Sequence, residues 1–336
     1  MKGAQYAGNR RLDVITKDLR PLGDNELLID VEACGICGTD LHIVDGTSRS
    51  NPPLIIGHEY AGRIVDMGKS VKGHAIGARV AVDPNIACGE CLYCRRGLVH
   101  LCSSLRALGV DIDGGMAEFS IVPAAQAFAL GDTMSAEACA FVEPVSCAVH
   151  GIDRARITAG DAVIIIGGGP IGQIMLQLAL VAGAASTILV EPIVAKRALG
   201  TTHGATLVID PAAGNVTDAV HAVLPEGADV VIDCAGMPAT ASLALTLARR
   251  GGTVEFFGVC PIGATIPVEP NMVYFRELTI VGSYVNPFTF SRAIELLRNG
   301  KVRVDTLPLA RFPLEGVHEA LRQQREGVAV KSILIP

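Results

Sequence analysis

Ala162-Val163-Ile164-Ile165-Ile166-Gly167-Gly168-Gly169-Pro170-Ile171-Gly172 is the stretch whose reading decides the fold. Its first five residues are an unbroken apolar, mostly β-branched run, as expected of a strand covered on both faces of a parallel sheet. The run enters a turn with Gly167, Gly169 and Gly172 at the G-x-G-x-x-G positions and with Pro170 and Ile171 completing it. Glycines at those places let the backbone approach a pyrophosphate at a helix N-terminus, where unpaired amides and the helix dipole favour an anion. A helix over 173–182 follows, and then a strand over 187–190 that ends at Glu191. The glycine motif alone is weak, because a plain packing turn can share it. Strand, turn, helix, strand and an acid about 20 residues on together make a dinucleotide-binding unit. A carboxylate in that place pairs with ribose hydroxyls and repels a 2′-phosphate, so Glu191 points to NAD, while Lys196 and Arg197 are cations close enough to soften the preference. Further strands at 230–232, 253–257 and 278–281 alternate with helical stretches around 239–249 and 291–298, which completes the sheet by about residue 284.

Upstream the texture is different. Residues 26–33 alternate as a strand does, and Ile64-Val65 and Arg79-Val80-Ala81-Val82 are short apolar runs separated by Gly68, Gly73 and Gly77. This predicts an irregular, mostly β domain with little helix before residue 144. It carries two clusters of metal-ligating residues. The first is Cys34-Gly-Ile-Cys37-Gly-Thr39-Asp40-Leu-His42, answered by Gly57-His58-Glu59. Zinc favours thiolate, imidazole and carboxylate donors, and a catalytic zinc keeps one position open, so Cys37, His58 and an acid suit one. The second is Cys88-Gly-Glu-Cys91-Leu-Tyr-Cys94 with Cys102 after it. Four thiols at that spacing close a tetrahedron with no place for substrate, so this zinc is expected to be structural.

Composition narrows the class. The 336 residues exceed one usual domain, carry a net charge of -6 and include no basic block, which speaks against nucleic acid or an anionic membrane as partner. Half the residues are hydrophobic, yet no apolar run approaches the roughly 20 residues of a membrane span. Met1-Lys2-Gly3-Ala4 does not open a leader, and clustered cysteines without one suit metal rather than disulfides, so a reducing cytoplasm is the expected compartment.

In this order, C-G-I-C-G-T-D-L-H, G-H-E, the four-cysteine spacing, Phe141-Val142-Glu143-Pro144 and G-G-G-P-I-G resemble the zinc-dependent medium-chain alcohol dehydrogenases, nearest the sorbitol and threonine dehydrogenase branches. The resemblance spans essentially the whole chain. It implies an α/β fold in which a Rossmann doubly wound parallel sheet (147–284) is inserted in a mostly β, GroES-like catalytic domain (1–146, with 285–336 returning to it). It also implies that Cys37 and His58 are catalytic-zinc ligands, with Glu143 standing where other branches carry a second cysteine. Glu59 is then the more mobile acid, an outer partner or alternative ligand. Asp40 orients the zinc histidine, and Thr39 and His42 carry the alcohol proton to solvent. Cys34, Cys139, Cys147, Cys234 and Cys260 are read as packing, and His74, His100, His150, His203, His221 and His318 are given no role.

The expected reaction is oxidation of a secondary hydroxyl of a small polyol to the ketone, with hydride passing to NAD and zinc as Lewis acid. Threonine or a simple secondary alcohol such as 2,3-butanediol is the alternative substrate. Ile43 and Ser283 replace two polar contacts that polyol enzymes carry, and Asp111, Asp113, Tyr284 and Asn286 are candidate substitutes. A non-enzymatic zinc- or nucleotide-binding relative would have lost the ligands or the proton relay, and a zinc-free quinone or enoyl reductase would lack the ligands; neither loss is visible. Homodimers or homotetramers are expected, with the 278–283 strand as the edge for self-association.

Overall fold

The computed structural model describes residues 1–131 and 133–336. The chain divides into two compact units. One comprises Met1–Ser146, Val285–Asn299 and Val304–Pro336, the other Cys147–Tyr284 with Gly300–Arg303.

The second unit is built on a parallel sheet in the order Leu207–Ile209, Ser186–Val190, Ala162–Ile166, Ala228–Asp233, Ala248–Phe256, Thr279–Gly282. Chain order reverses between Ala162–Ile166 and Ala228–Asp233, which puts the glycine turn at the crevice where such sheets bind ligands. Ile164, Ile166, Ile188, Val231 and Val254 form its core with Ala244 and Leu245 from the helix Pro238–Leu247. Gly300–Arg303, expected to return to the first domain, is instead held here. Gln177 Oε1 accepts from the Arg303 amide at 2.7 Å and Gln177 Nε2 donates to the Arg303 carbonyl at 3.3 Å. Thr279–Gly282 lies at the sheet edge and is largely exposed.

Glu255, mid-sheet opposite Ile232, is fully buried, and neither carboxylate oxygen has a hydrogen-bond partner. Burial pushes its carboxyl up to about 8, with Arg154 only partly opposing this. The neutral acid is therefore the native form. Its contribution is fully present below the unfolded value of 4.5 and is lost as pH rises through about 8. Glu255→Gln, which keeps the shape without the charge, is expected to match wild type near pH 5. Near pH 9 it should exceed wild type by a few kcal/mol, since each tenfold change in proton affinity on folding corresponds to about 1.4 kcal/mol. Thermal melts of both proteins across that range check this; parallel pH profiles would count against it.

The first unit has a mixed sheet in the order Ala127–Ala129, Arg79–Val82, Glu59–Met67, Glu26–Gly35, Lys331–Ile335, Leu309–Pro313, with Phe119–Pro123 also pairing to Glu26–Gly35. A smaller antiparallel sheet joins Arg11–Thr16, Lys2–Gly8 and Leu54–Ile55. Leu27, Ile29, Tyr60, Ile64, Val80 and Leu334 lie in one core beneath them. Helix appears earlier than the residue patterning suggests, at Gly38–Val44 and Ala136–Ala140. The first of these begins because Asp40 accepts from the Cys37 amide at 2.8 Å, an acid in the first turn closing back on the residue before the helix. Among the described residues no helix is long and apolar enough to cross a membrane.

Candidate functional site

Cys37, His58 and Glu59 each place one donor atom within 4.8 Å of the others. Different elements deliver them. Cys37 precedes the helix Gly38–Val44, and Glu59 opens the strand Glu59–Met67 next to His58. Gly57, at φ +96, makes the turn into that strand in a conformation that disfavours other residues. His58 and Glu59 are 8% and 2% exposed. Asp40, fully buried, lies 3.4 Å by Oδ1 from His58 Nδ1, too poorly aligned for a hydrogen bond but close enough for its charge to act. Burial pulls the His58 imidazole down, yet Asp40 and Cys37 outweigh it and hold the group well above its usual value. A half-buried thiol with a buried imidazole and two buried carboxylates makes a nest of sulfur, nitrogen and oxygen donors, the donor types that zinc takes.

Glu143 is not drawn into that group. It lies in the first turn of the helix Val142–Ala155, 7% exposed, while the acid from the strand stands beside the thiol and imidazole. Glu59 in turn has a partner that no sequence motif announced. Lys331 Nζ pairs with Glu59 Oε2, both side chains being almost wholly buried, and lies 5.9 Å from the centroid of the Phe141 ring. Burial alone would lower the Lys331 ammonium; Glu59 and Cys37 hold its charge on, and the net shift is upward. Gly35 makes the room, since a Cβ there would lie 2.5 Å from Glu59 Oε2 and 3.0 Å from Lys331 Cε. The available signal was a lone lysine in the apolar run Val328-Ala-Val-Lys331-Ser-Ile-Leu-Ile335.

Thr39 and His42, three apart on one short helix, share a face. Thr39 Oγ1 is 3.7 Å from Cys37 Sγ, and His42 Nδ1 is 3.3 Å from the exposed Thr47 Oγ1, so the pair runs from beside the thiol toward the surface.

The four-cysteine group also assembles, with Cys88, Cys91, Cys94 and Cys102 sulfurs all within 4.8 Å of one another. They lie in a lobe closed by the pairing of Asn85–Ile86 with Arg106–Ala107. Amides serve as second partners: Cys88 N–H donates to Cys102 Sγ at 3.3 Å and Cys91 N–H to Cys88 Sγ at 3.4 Å. Backbone amides of Cys94 and Ser103 pull the Cys91 thiol down to about 5, and the Cys88 amide lowers Cys102. Burial and the Cys91 side chain push the Cys94 thiol the other way, up to about 12, so only part of the group is in the thiolate form that binds metal before a metal arrives.

In the second unit Gly169 caps the helix Pro170–Ala182 with no side chain on its first amides. A Cβ on Gly169 would meet nothing within 4 Å, whereas one on Gly172 would lie 1.8 Å from the Gly167 carbonyl oxygen. Gly172 therefore closes the turn, and Gly169 leaves open the space that a pyrophosphate needs. Ile171 is half-buried behind that turn. Glu191 is 5% exposed, and its oxygens accept from the Gly168 amide at 2.6 Å and the Ile193 amide at 2.8 Å. Arg197 is committed to its own turn, donating to the carbonyls of Glu191 and Pro192 and pairing with Asp210 at 2.8 Å.

The suggested replacement substrate contacts are mostly engaged elsewhere. Asp113 pairs with Lys17 and accepts from the Ile55 amide, Asp111 pairs with Arg49, and Asn286 is buried between Asn85 and Ser146. Ile43 is fully buried in the core of its unit. Tyr284 remains, half-exposed.

Sheet and donor groups in one chain define a class: oxidoreductases that use zinc together with a nicotinamide dinucleotide. Residues 23–132 match the alcohol dehydrogenase GroES-like domain and residues 170–299 the zinc-binding dehydrogenase domain. The chain is 33% identical to D-arabinitol dehydrogenase 1 of Uromyces fabae over 100% of its own length and 97% of that protein's. It is 33% identical to L-threonine 3-dehydrogenase of Pyrococcus horikoshii over 96% of its length and 94% of that protein's. A chain from Sinorhizobium meliloti 1021, assigned to the zinc-binding dehydrogenases and solved with NADP, superposes with a TM-score of 0.95 at 40% identity, covering 100% of this chain and 99% of that one. The protein belongs to the zinc-dependent medium-chain alcohol dehydrogenase family. It is an oxidoreductase whose substrate is a small-molecule alcohol and whose cofactors are zinc and a nicotinamide dinucleotide.

Proposed function

We propose that the protein oxidises a secondary hydroxyl of a small polyol to the ketone and passes the hydride to NAD. The observation that carries this is the donor group Cys37, His58 and Glu59, a thiolate, an imidazole and a carboxylate, in a chain alignable end to end with a D-arabinitol dehydrogenase. In this reading those three residues hold the catalytic zinc, with Glu143 as a further acid from the neighbouring helix. Bound there, zinc would act as a Lewis acid on a substrate oxygen. The charge of Asp40 acts on the His58 ring, Lys331 balances the charge of Glu59 and restrains its swing, and Thr39 with His42 takes the hydroxyl proton outward. Gly167, Gly169, Pro170, Ile171 and Gly172 cradle the dinucleotide, and Cys88, Cys91, Cys94 and Cys102 hold a second, structural zinc.

The choice of NAD rests on Glu191, whose carboxylate stands at the end of the second strand and would repel a 2′-phosphate. Arg197, already paired with Asp210, offers that phosphate little. Threonine is the second reading, favoured by the threonine 3-dehydrogenase relative and by the engagement of Asp111, Asp113 and Asn286 away from any polyol. Self-association as a dimer or tetramer through Thr279–Gly282 belongs to the same proposal, because the strand is an open edge flanked by the exposed Tyr274 and Phe275.

One preparation tests the whole reading. Reduction of NAD and of NADP is followed over alditols of about four to six carbons, threonine, 2,3-butanediol and primary alcohols, and sedimentation gives the particle mass against the 35.0 kDa chain. Expected are highest kcat/KM with a polyol and NAD, and a particle of two or four chains. A strong preference for threonine or a monohydric alcohol would refute the polyol assignment, equal efficiency with NADP would refute the role of Glu191, and a monomer would refute the edge.

A further inference from the structure

Helix Pro170–Ala182 is apolar where it is buried, with Ile174, Met175, Leu176 and Leu178 on its inner side, except for two glutamines. Gln173, fully buried, follows directly on the last glycine of the turn. Its Nε2 donates to the Gly168 carbonyl at 3.1 Å and to the Lys196 carbonyl at 2.9 Å. Both amide hydrogens are thereby used, so Oε1 is the atom that faces His203 Nδ1 at 2.9 Å, and Nδ1 carries the proton. His203 is 3% exposed at the end of the helix Val194–Thr202. Across the Gly168 Cα, in the preceding peptide group, the Gly168 amide donates to Glu191.

We propose that Gln173 and His203 are positioning residues for the dinucleotide: they fix the Gly168 peptide and tie the glycine turn to the 191–196 turn, so that the surfaces for pyrophosphate and ribose are held in one geometry. The inference rests on the dinucleotide reading of that turn. Its physical motive is an imbalance. A buried amide and imidazole bonded to each other add little to stability, so what Gln173 contributes lies in its bonds to the Gly168 and Lys196 carbonyls. Gly168 carries no side chain and has few conformational restraints of its own, so fixing its peptide is where two hydrogen bonds have the most to alter. Glu191 is coupled to the result through the Gly168 Cα, because the amide on the other side of that carbon donates to its Oε2.

The test is binding rather than turnover. The chain has no tryptophan, so the fluorescence of bound NADH is read without energy transfer from the protein. Wild type, Gln173→Leu, His203→Leu, the Gln173→Leu/His203→Leu double variant and His203→Asn are titrated with NADH and NADPH, melted, and assayed with saturating alcohol. Expected for the three leucine variants is a rise of about tenfold in the NADH Kd and in KM for the oxidised cofactor, the loss of one or two buried hydrogen bonds. The kcat at saturating cofactor should stay within about twofold, as for an interaction that contributes binding only. The double variant should melt close to the wild-type temperature, lowered only by the Gly168 and Lys196 carbonyls that it leaves without Gln173. His203→Asn, whose Nδ2–H can donate to Gln173 Oε1, should recover most of the affinity. An unchanged Kd in the leucine variants would overturn the proposal, and so would a fall in melting temperature and kcat with Kd unmoved. Wild type that binds neither dinucleotide would instead refute the reading of the turn itself.

Discussion

Cys37→Ser is expected to give a folded protein with wild-type thermal stability, one zinc per chain in place of two, and turnover lower by about a thousandfold or more. Losing only the outer partners of such a site typically costs about 10- to 100-fold, and a direct donor should cost more. The asymmetry between the two donor groups is the reason to expect two different phenotypes. Cys37, His58 and Glu59 are anchored by the sheet core and by Lys331, which persist without metal. The lobe that contains Cys88, Cys91, Cys94 and Cys102 rests on no such core. Leu92, Tyr93, Leu98 and Leu101 are substantially exposed, and within the lobe the regular structure is limited to the short elements Leu92–Arg95 and Val99–Leu101 and the two-residue pairing at its base. Cys91→Ser should therefore lower the melting temperature and remove the other zinc, because in such lobes metal binding is itself folding free energy. Glu59→Gln should weaken the catalytic metal more than Glu143→Ala does, since only Glu59 stands within 4.8 Å of the thiol and imidazole donors. Metal analysis, melting curves and kcat on the four variants and wild type decide. A single metal in wild type, or normal turnover in Cys37→Ser, would refute the division of labour.

Gly172→Ala should abolish dinucleotide binding and destabilise its unit, and Gly169→Ala should do the first without the second. The added Cβ of Gly172→Ala lies 1.8 Å from the backbone oxygen of Gly167, which cannot retreat without opening the turn. Overpacking of this kind costs about 1–3 kcal/mol, here at the point where helix and strand pack most closely. At Gly169 the same methyl enters free space, so the fold should tolerate it while the ligand does not. Calorimetric titration with NADH beside thermal melts distinguishes the two, and equal stability of Gly172→Ala and wild type would show that the close approach is not a constraint.

The parts of this architecture that were legible from sequence are those in which one local pattern dictates structure. Ala162–Ile166, the glycine turn and Ser186–Val190 are read in order along the chain, and the cysteine lobe is a matter of spacing within one loop. Patterns that depend on distant partners were not legible. The strand Leu207–Ile209 and the helices Val194–Thr202 and Pro270–Arg276 are short or only partly buried, so their apolar periodicity is faint. Lys331 has meaning only beside Glu59, and Gln173 and His203 only beside Gly168. Each is an ordinary polar residue until the sheet brings its partner near. Asp111 and Asp113 show the converse, since acids that look available in sequence are taken up by Arg49 and Lys17.

Lys331–Ile335 pairs with Glu26–Gly35, Ile333 opposite Gly35, at almost the greatest chain separation the molecule allows. A contact of that order carries a large loop-closure entropy unless the intervening chain is already compact. The parallel sheet between them needs no residue from either end, and by folding as it emerges it would bring residues 146 and 285 together and shorten the effective loop. Substitutions that slow its folding are then expected to delay assembly of the donor group Cys37, His58 and Glu59, none of which lies within it.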